Sequence, residues 1–137
     1  MRKSAQPMLY NSESDPPALR GSRCNSCGRV YFPPMRVGCE VCGAAEDQLA
    51  DIELATSGVV FAVAEVHLTA DSTPVPFTVV EVVLDAGPNL RAMAHPDSTV
   101  PSIGDRVTAR WNITGTDDDG NDLAEPAFAV TEAEGAA

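Results

Sequence analysis

All four cysteines of the chain fall in one stretch, CNSCGRVYFPPMRVGCEVCG, residues 24 to 43. They form two CxxCG pairs, Cys24 with Cys27 and Cys39 with Cys42, followed by Gly28 and Gly43. Two residues between cysteines let a tight turn aim both sulfurs at one ion. The glycine after each pair lets the backbone pass close beneath them. Two such turns joined by a short hairpin make a four-sulfur site, and the spacing points to Zn2+. Iron held by the same four thiolates is an alternative, as in rubredoxin. Two disulfides would need an oxidising compartment. A redox CxxC would open a helix in a βαβ unit, which Pro33 and Pro34 argue against. A closed four-sulfur zinc site has no open position, so its expected role is structural.

Between the two pairs, Tyr31 and Phe32 are too large for so small a segment to bury alone. They are expected either to pack on a neighbouring domain or, with Pro33 and Pro34, to present a contact surface.

The elements that must carry this segment read as short strands. LADIELATS (49–57), GVVFAVAEVHL (58–68), PFTVVEVVLD (76–85), LRAMAH (90–95), RVTARWNI (106–113) and PAFAVTE (126–132) are rich in β-formers. In 106–113, Val107, Ala109, Trp111 and Ile113 share one face. No stretch sustains a 3.6-residue period. The predicted fold is mainly β: a rubredoxin-like zinc ribbon (19–46) followed by a five-stranded OB-fold barrel (47–132). An N-terminal arm (1–18), frayed or docking, and a disordered tail (133–137) flank them.

Candidate catalysts are few. Metal binding claims every cysteine, and the chain has no GxSxG, no phosphate-binding glycine loop and no HExxH. His67 shares a strand face with Glu65 and is read as a polar surface pair. His95, before Pro96, is read as a loop residue. Glu81, among valines, is read as facing outward from the barrel. TGTDDDGND (114–122) mimics a calcium loop, but its glycine comes two places early and Phe128 stands where the final Glu belongs, so an acidic hairpin tip is expected.

The net charge of −11 is uneven. Residues 1–43 hold six Lys/Arg against three acids, whereas residues 44–137 hold three Arg against seventeen acids. So acidic a barrel repels polyanions, and nucleic-acid binding is disfavoured. No apolar run approaches the roughly 20 residues of a membrane span. The N-terminal stretch lacks the apolar core of a secretory signal, and a cytoplasmic location is expected.

The run LRGSRCNSCGRVYFPPMRVGCEVCG, with SGVVFAVAEVH, PFTVVEVVLDAGPNLRAMAH and IGDRVTARW after it, resembles the family known as domain of unknown function 35. The resemblance covers about residues 19–113. It implies a zinc ribbon plus OB fold serving as a non-catalytic accessory subunit of a thiolase-fold enzyme on acyl-CoA, of the thiolase or steroid side-chain aldolase type. A heterotetramer with the thiolase-like subunit is implied. The small subunit would stabilise the complex and help shape the acyl-CoA site. Arg23, Arg29 and Arg36, in the only cationic part of the chain, would then meet coenzyme A phosphates or an acidic partner surface. Members commonly begin with a longer helical segment; here Pro7, Pro16 and Pro17 leave room for a short helix at most. The alternative is a free-standing acyl-CoA or nucleic-acid binding module.

Overall fold

In a computed structural model, residues 2–70 and 74–131 are described. The nine strands are β1 (Arg2–Ser4), β2 (Ala18–Cys24), β3 (Val30–Tyr31), β4 (Leu49–Ala55), β5 (Ser57–Val66), β6 (Phe77–Leu84), β7 (Asn89–Met93), β8 (Arg106–Thr116) and β9 (Asp122–Val130). The only helical element among the described residues is a 3-10 turn at Glu46–Gln48. The fold is thus mainly β, with the cysteine ribbon ahead of a β-sheet domain.

Alternation builds the barrel. In β6, Val80, Val82 and Leu84 point inward and are buried, while Glu81 lies on the other face and meets Arg91 of β7 at 3.5 Å. In β8, Val107 and Ala109 are fully buried and Trp111 partly so. Phe128 of β9 is the largest fully buried side chain. Antiparallel pairing joins β7 to β6, β6 to β5, β5 to β8 and β8 to β9. The ring closes where the chain leaving β7 meets β9 in parallel: Ala94 pairs with Phe128, and the His95 N–H donates to the Phe128 carbonyl at 2.7 Å. This is the ring order of a five-stranded OB barrel.

β4 follows a different course from the strands after it. It pairs with β2 along its whole length, Ala18 opposite Ala55 through Cys24 opposite Leu49, so its ladder belongs to the ribbon's sheet rather than the barrel's. Thr56 alone separates β4 from β5. Ribbon and barrel also share one apolar core: Leu19 and Leu54 lie in the same buried cluster as Val80 and Phe128, with Val30, Phe32 and Ile52 packed against it.

The N-terminal residues are docked, with no helix. β1 runs parallel to β9, Arg2 opposite Asp122 through Ser4 opposite Ala124, and turns and bends follow. Trp111 is the anchor. Its indole Nε1–H donates to the Ser14 carbonyl at 2.8 Å, and the Arg2 guanidinium lies 4.6 Å from its ring centroid. Tyr10 packs against the same indole, centroids 5.9 Å apart, and is itself buried. The 133–137 segment lies outside the described residues.

Candidate metal centre

The sequence folds into two equivalent knuckles. In the first, the Gly28 N–H donates to the Cys24 carbonyl (2.7 Å) and the Cys24 N–H to the Arg29 carbonyl (2.9 Å). In the second, the Gly43 N–H donates to the Cys39 carbonyl (2.9 Å) and the Cys39 N–H to the Ala44 carbonyl (2.9 Å). Both turns need a left-handed residue at the glycine, with φ of +83° at Gly28 and +78° at Gly43. β2 delivers Cys24 at its last residue, and the 3-10 turn ties back when the Asn25 N–H donates to the Gln48 carbonyl at 2.8 Å.

The four Sγ atoms all lie within 4.8 Å of one another. Cys24 and Cys42 approach to 3.6 Å, as do Cys27 and Cys39. That separation is far longer than the S–S bond of about 2.05 Å in a disulfide. It is close to the edge of about 3.8 Å expected when four sulfurs surround an ion at about 2.3 Å. The donor set and its spacing therefore fit a tetrahedral metal ion.

One further side chain belongs to the centre. The Tyr31 hydroxyl lies 3.3 Å from Cys39 Sγ and accepts from the Glu40 N–H at 3.2 Å. With its oxygen accepting from that amide, its proton is free to point at the sulfur. This hydroxyl, with the backbone amides of Cys42 and Val41, lowers the Cys39 thiol to about 6 against the opposing effect of burial. At Cys27 the Arg29 backbone acts downward, but desolvation and the three neighbouring sulfurs outweigh it and push that thiol up to about 11. Cys24 and Cys39 are buried and Cys27 and Cys42 are exposed, so the centre has one open side.

The other candidate residues around the ribbon are dispersed. Arg36 pairs with Asp51 of β4, and Arg29 lies over the Tyr31 ring at 5.5 Å. Arg23 and Pro33 are exposed, whereas Pro34 and Phe32 are half-buried, Phe32 against the shared core. Elsewhere, His67 and Glu65 meet at 2.8 Å on an exposed face. The acidic tip between β8 and β9 is internally satisfied: the Asp117 carboxylate accepts from the backbone of Asp119 and Asn121 and from the Asn121 side chain.

His95 lies just past β7 and outside any strand, as its loop reading expected, but the loop is pinned down. The side chain is buried, accepting at Nδ1 from the Asp97 N–H (3.1 Å), which leaves Nε2–H to donate to the Trp111 carbonyl (3.1 Å). His95 fastens the loop after β7 to β8 through its ring and to β9 through its backbone N–H. The Trp111 anchor and the buried Tyr10 were missed. The only signal for them was the single Trp on an apolar strand face, which does not say what covers it.

Residues 15–48 match the family described as the ChsH2 rubredoxin-like zinc ribbon domain. Among solved structures, the chain is similar to one titled "Ltp2-ChsH2(DUF35) aldolase", with 26% sequence identity and a TM-score of 0.61. That likeness covers 82% of this chain and 84% of the other, so it takes in the barrel as well as the ribbon.

Proposed function

Because this chain carries a DUF35-type domain with a ChsH2-type ribbon, we propose that it is a non-catalytic accessory subunit of a thiolase-fold enzyme acting on acyl-CoA. A steroid side-chain aldolase or a thiolase is the partner class, working in the cytoplasm, and the assembly is a heterotetramer. The observation that carries this reading is the likeness, spanning ribbon and barrel alike, to a chain of an Ltp2-ChsH2 aldolase. No helix among the described residues is long and apolar enough to cross a membrane.

In this reading the ion is Zn2+, held by Cys24, Cys27, Cys39 and Cys42. Zinc in an all-sulfur shell supplies rigidity and no reactive position. The four cysteines cross-link β2 to the hairpin of 39–42, which has little apolar mass of its own. The ribbon, with an arm at 1–18 and a barrel beyond it, offers Arg23, Arg29, Arg36 and the Tyr31–Pro34 segment toward the partner or the coenzyme. Arg36 would have to leave Asp51 to take a phosphate, a modest cost because that ion pair is exposed.

The test is co-expression of the tagged chain with a thiolase-fold enzyme encoded beside it. The expected result is co-purification in fixed ratio, acyl-CoA turnover by the complex, and loss of turnover on separation. Turnover by this chain alone, or full activity of the larger enzyme without it, would sink the proposal.

A further inference from the structure

The seam that closes the barrel is incomplete at one place. On the outer edge of β9, the Ala124 carbonyl accepts from the Ala5 N–H (2.9 Å) and the Phe128 carbonyl from the His95 N–H (2.7 Å). Alternate residues of a strand aim their backbone groups at the same edge. Pro126, midway between, also faces that edge and has no N–H to offer. Neither β1 nor β7 reaches it. The arm and the ribbon roof this gap and leave a cleft of about 330 Å3. Leu9, Phe32, Leu90 and Pro126 give it apolar walls, and Tyr10 and Glu125 also line it. The volume falls in the range of roughly 300–1,000 Å3 found for small-molecule pockets.

Two polar groups at this cleft lack partners. The Tyr10 hydroxyl is buried with no hydrogen bond. Such an orphan is uncommon, because a buried hydroxyl without a partner is costly. The Glu125 side chain makes no ion pair or hydrogen bond among the described residues, although it is half-buried. Both side chains line the same cleft; burial raises the pKa of both, and at Tyr10 the Glu125 charge adds to that rise while the Gln6 backbone opposes it. A ligand that satisfied both would accept from the phenol and donate to the carboxylate. A hydroxyl does both with one oxygen. An ammonium group has no lone pair for the Tyr10 proton, and a carboxylate is repelled by Glu125, while Arg91, the cation in the lining, is paired with Glu81.

We propose that this cleft binds a compact, uncharged apolar alcohol, its hydroxyl seated between Tyr10 and Glu125 and its hydrocarbon body against Leu9, Phe32 and Leu90. The site lies within this chain and does not depend on the accessory-subunit reading.

Cyclohexylmethanol is the probe, titrated into the full chain with its metal bound. Trp111 is the only tryptophan and touches Tyr10, so its fluorescence reports occupancy, with backbone amide NMR shifts of residues 6–10 and 90–93 as a second readout. A saturable change is expected in both. Tyr10→Phe should weaken binding about threefold to tenfold, the loss of one net hydrogen bond. Ala92→Phe, which fills the cleft from β7, should abolish it. Cyclohexanecarboxylate should bind at least tenfold more weakly than the alcohol. No saturable change in either readout, equal binding by Tyr10→Phe, or equal binding of the carboxylate would each overturn the proposal.

Discussion

Replacing Tyr31 by Phe removes one oxygen and little else. The ring stays, so its packing beside Cys39 and under the Arg29 guanidinium at 5.5 Å should persist. What disappears is the hydroxyl 3.3 Å from Cys39 Sγ and the acceptor for the Glu40 N–H. Glu40 is exposed, so water can satisfy that amide. The loss therefore falls on the thiolate, whose negative charge the phenol proton stabilises. Second-layer hydrogen bonds of this kind are worth about 10- to 100-fold in metal affinity. The assay is chelator competition on the metal-loaded chain, with Zn2+ release followed by a coloured indicator. Melting curves of both proteins without metal serve as the control for packing. The expected outcome is a 10- to 100-fold weaker dissociation constant, with metal-free curves that superimpose. Constants within twofold of each other would refute the role given to this hydroxyl.

Leu54→Ala should cost about 2–5 kcal/mol, because Leu54 lies in the core shared by ribbon and barrel; urea melts followed both by Trp111 fluorescence and by cysteine labelling should shift together, and separate transitions would contradict a common core. Trp111→Phe loses the indole bond to Ser14 and weakens the stacking with Arg2, about 1–3 kcal/mol in all; limited proteolysis should then cut within residues 5–17, and unchanged protection would show that the arm is held by something else. Glu125→Gln should raise the melting temperature at neutral pH. Burial holds the Glu125 pKa above its ordinary value, so the stability linked to its protonated form is complete below about 4.3 and is lost as pH rises through the folded value. The variant's advantage should therefore shrink as pH falls toward the ordinary carboxylate range, and an advantage that grows on acidification would contradict this.

The metal knuckles were legible because their determinants are local. Two intervening residues and a following glycine are enough, and Gly28 and Gly43 adopt the positive φ that the motif requires. The barrel strands were legible for a similar reason, since Val80, Val82 and Leu84, or Val107 and Ala109, advertise a buried face by alternation. Partnership between distant segments was not. Nothing in LADIELA distinguishes a strand that pairs with residues 18–24 from one that opens the barrel, because both choices bury Leu54. The docking of residues 2–17 depends on Trp111, about a hundred positions away in sequence. His95 precedes a proline and sits in a loop, yet its Nε2 finds a partner only when that loop meets β8, and its backbone N–H only when the loop meets β9. The gap beside Pro126 arises only where three segments fail to meet.

Thr56 joins the metal-bearing sheet to the barrel in a single step. Its hydroxyl donates to the Pro17 carbonyl at 2.6 Å and its own carbonyl accepts from the Ala109 N–H at 3.0 Å. A lone residue gripped from both sides has no slack to act as a swivel. Whatever face another polypeptide meets, it meets a wedge of fixed angle, and a push on the knuckles is felt at the far wall without being absorbed in between. Inserting two or three glycines after Thr56 would convert that wedge into a pendulum.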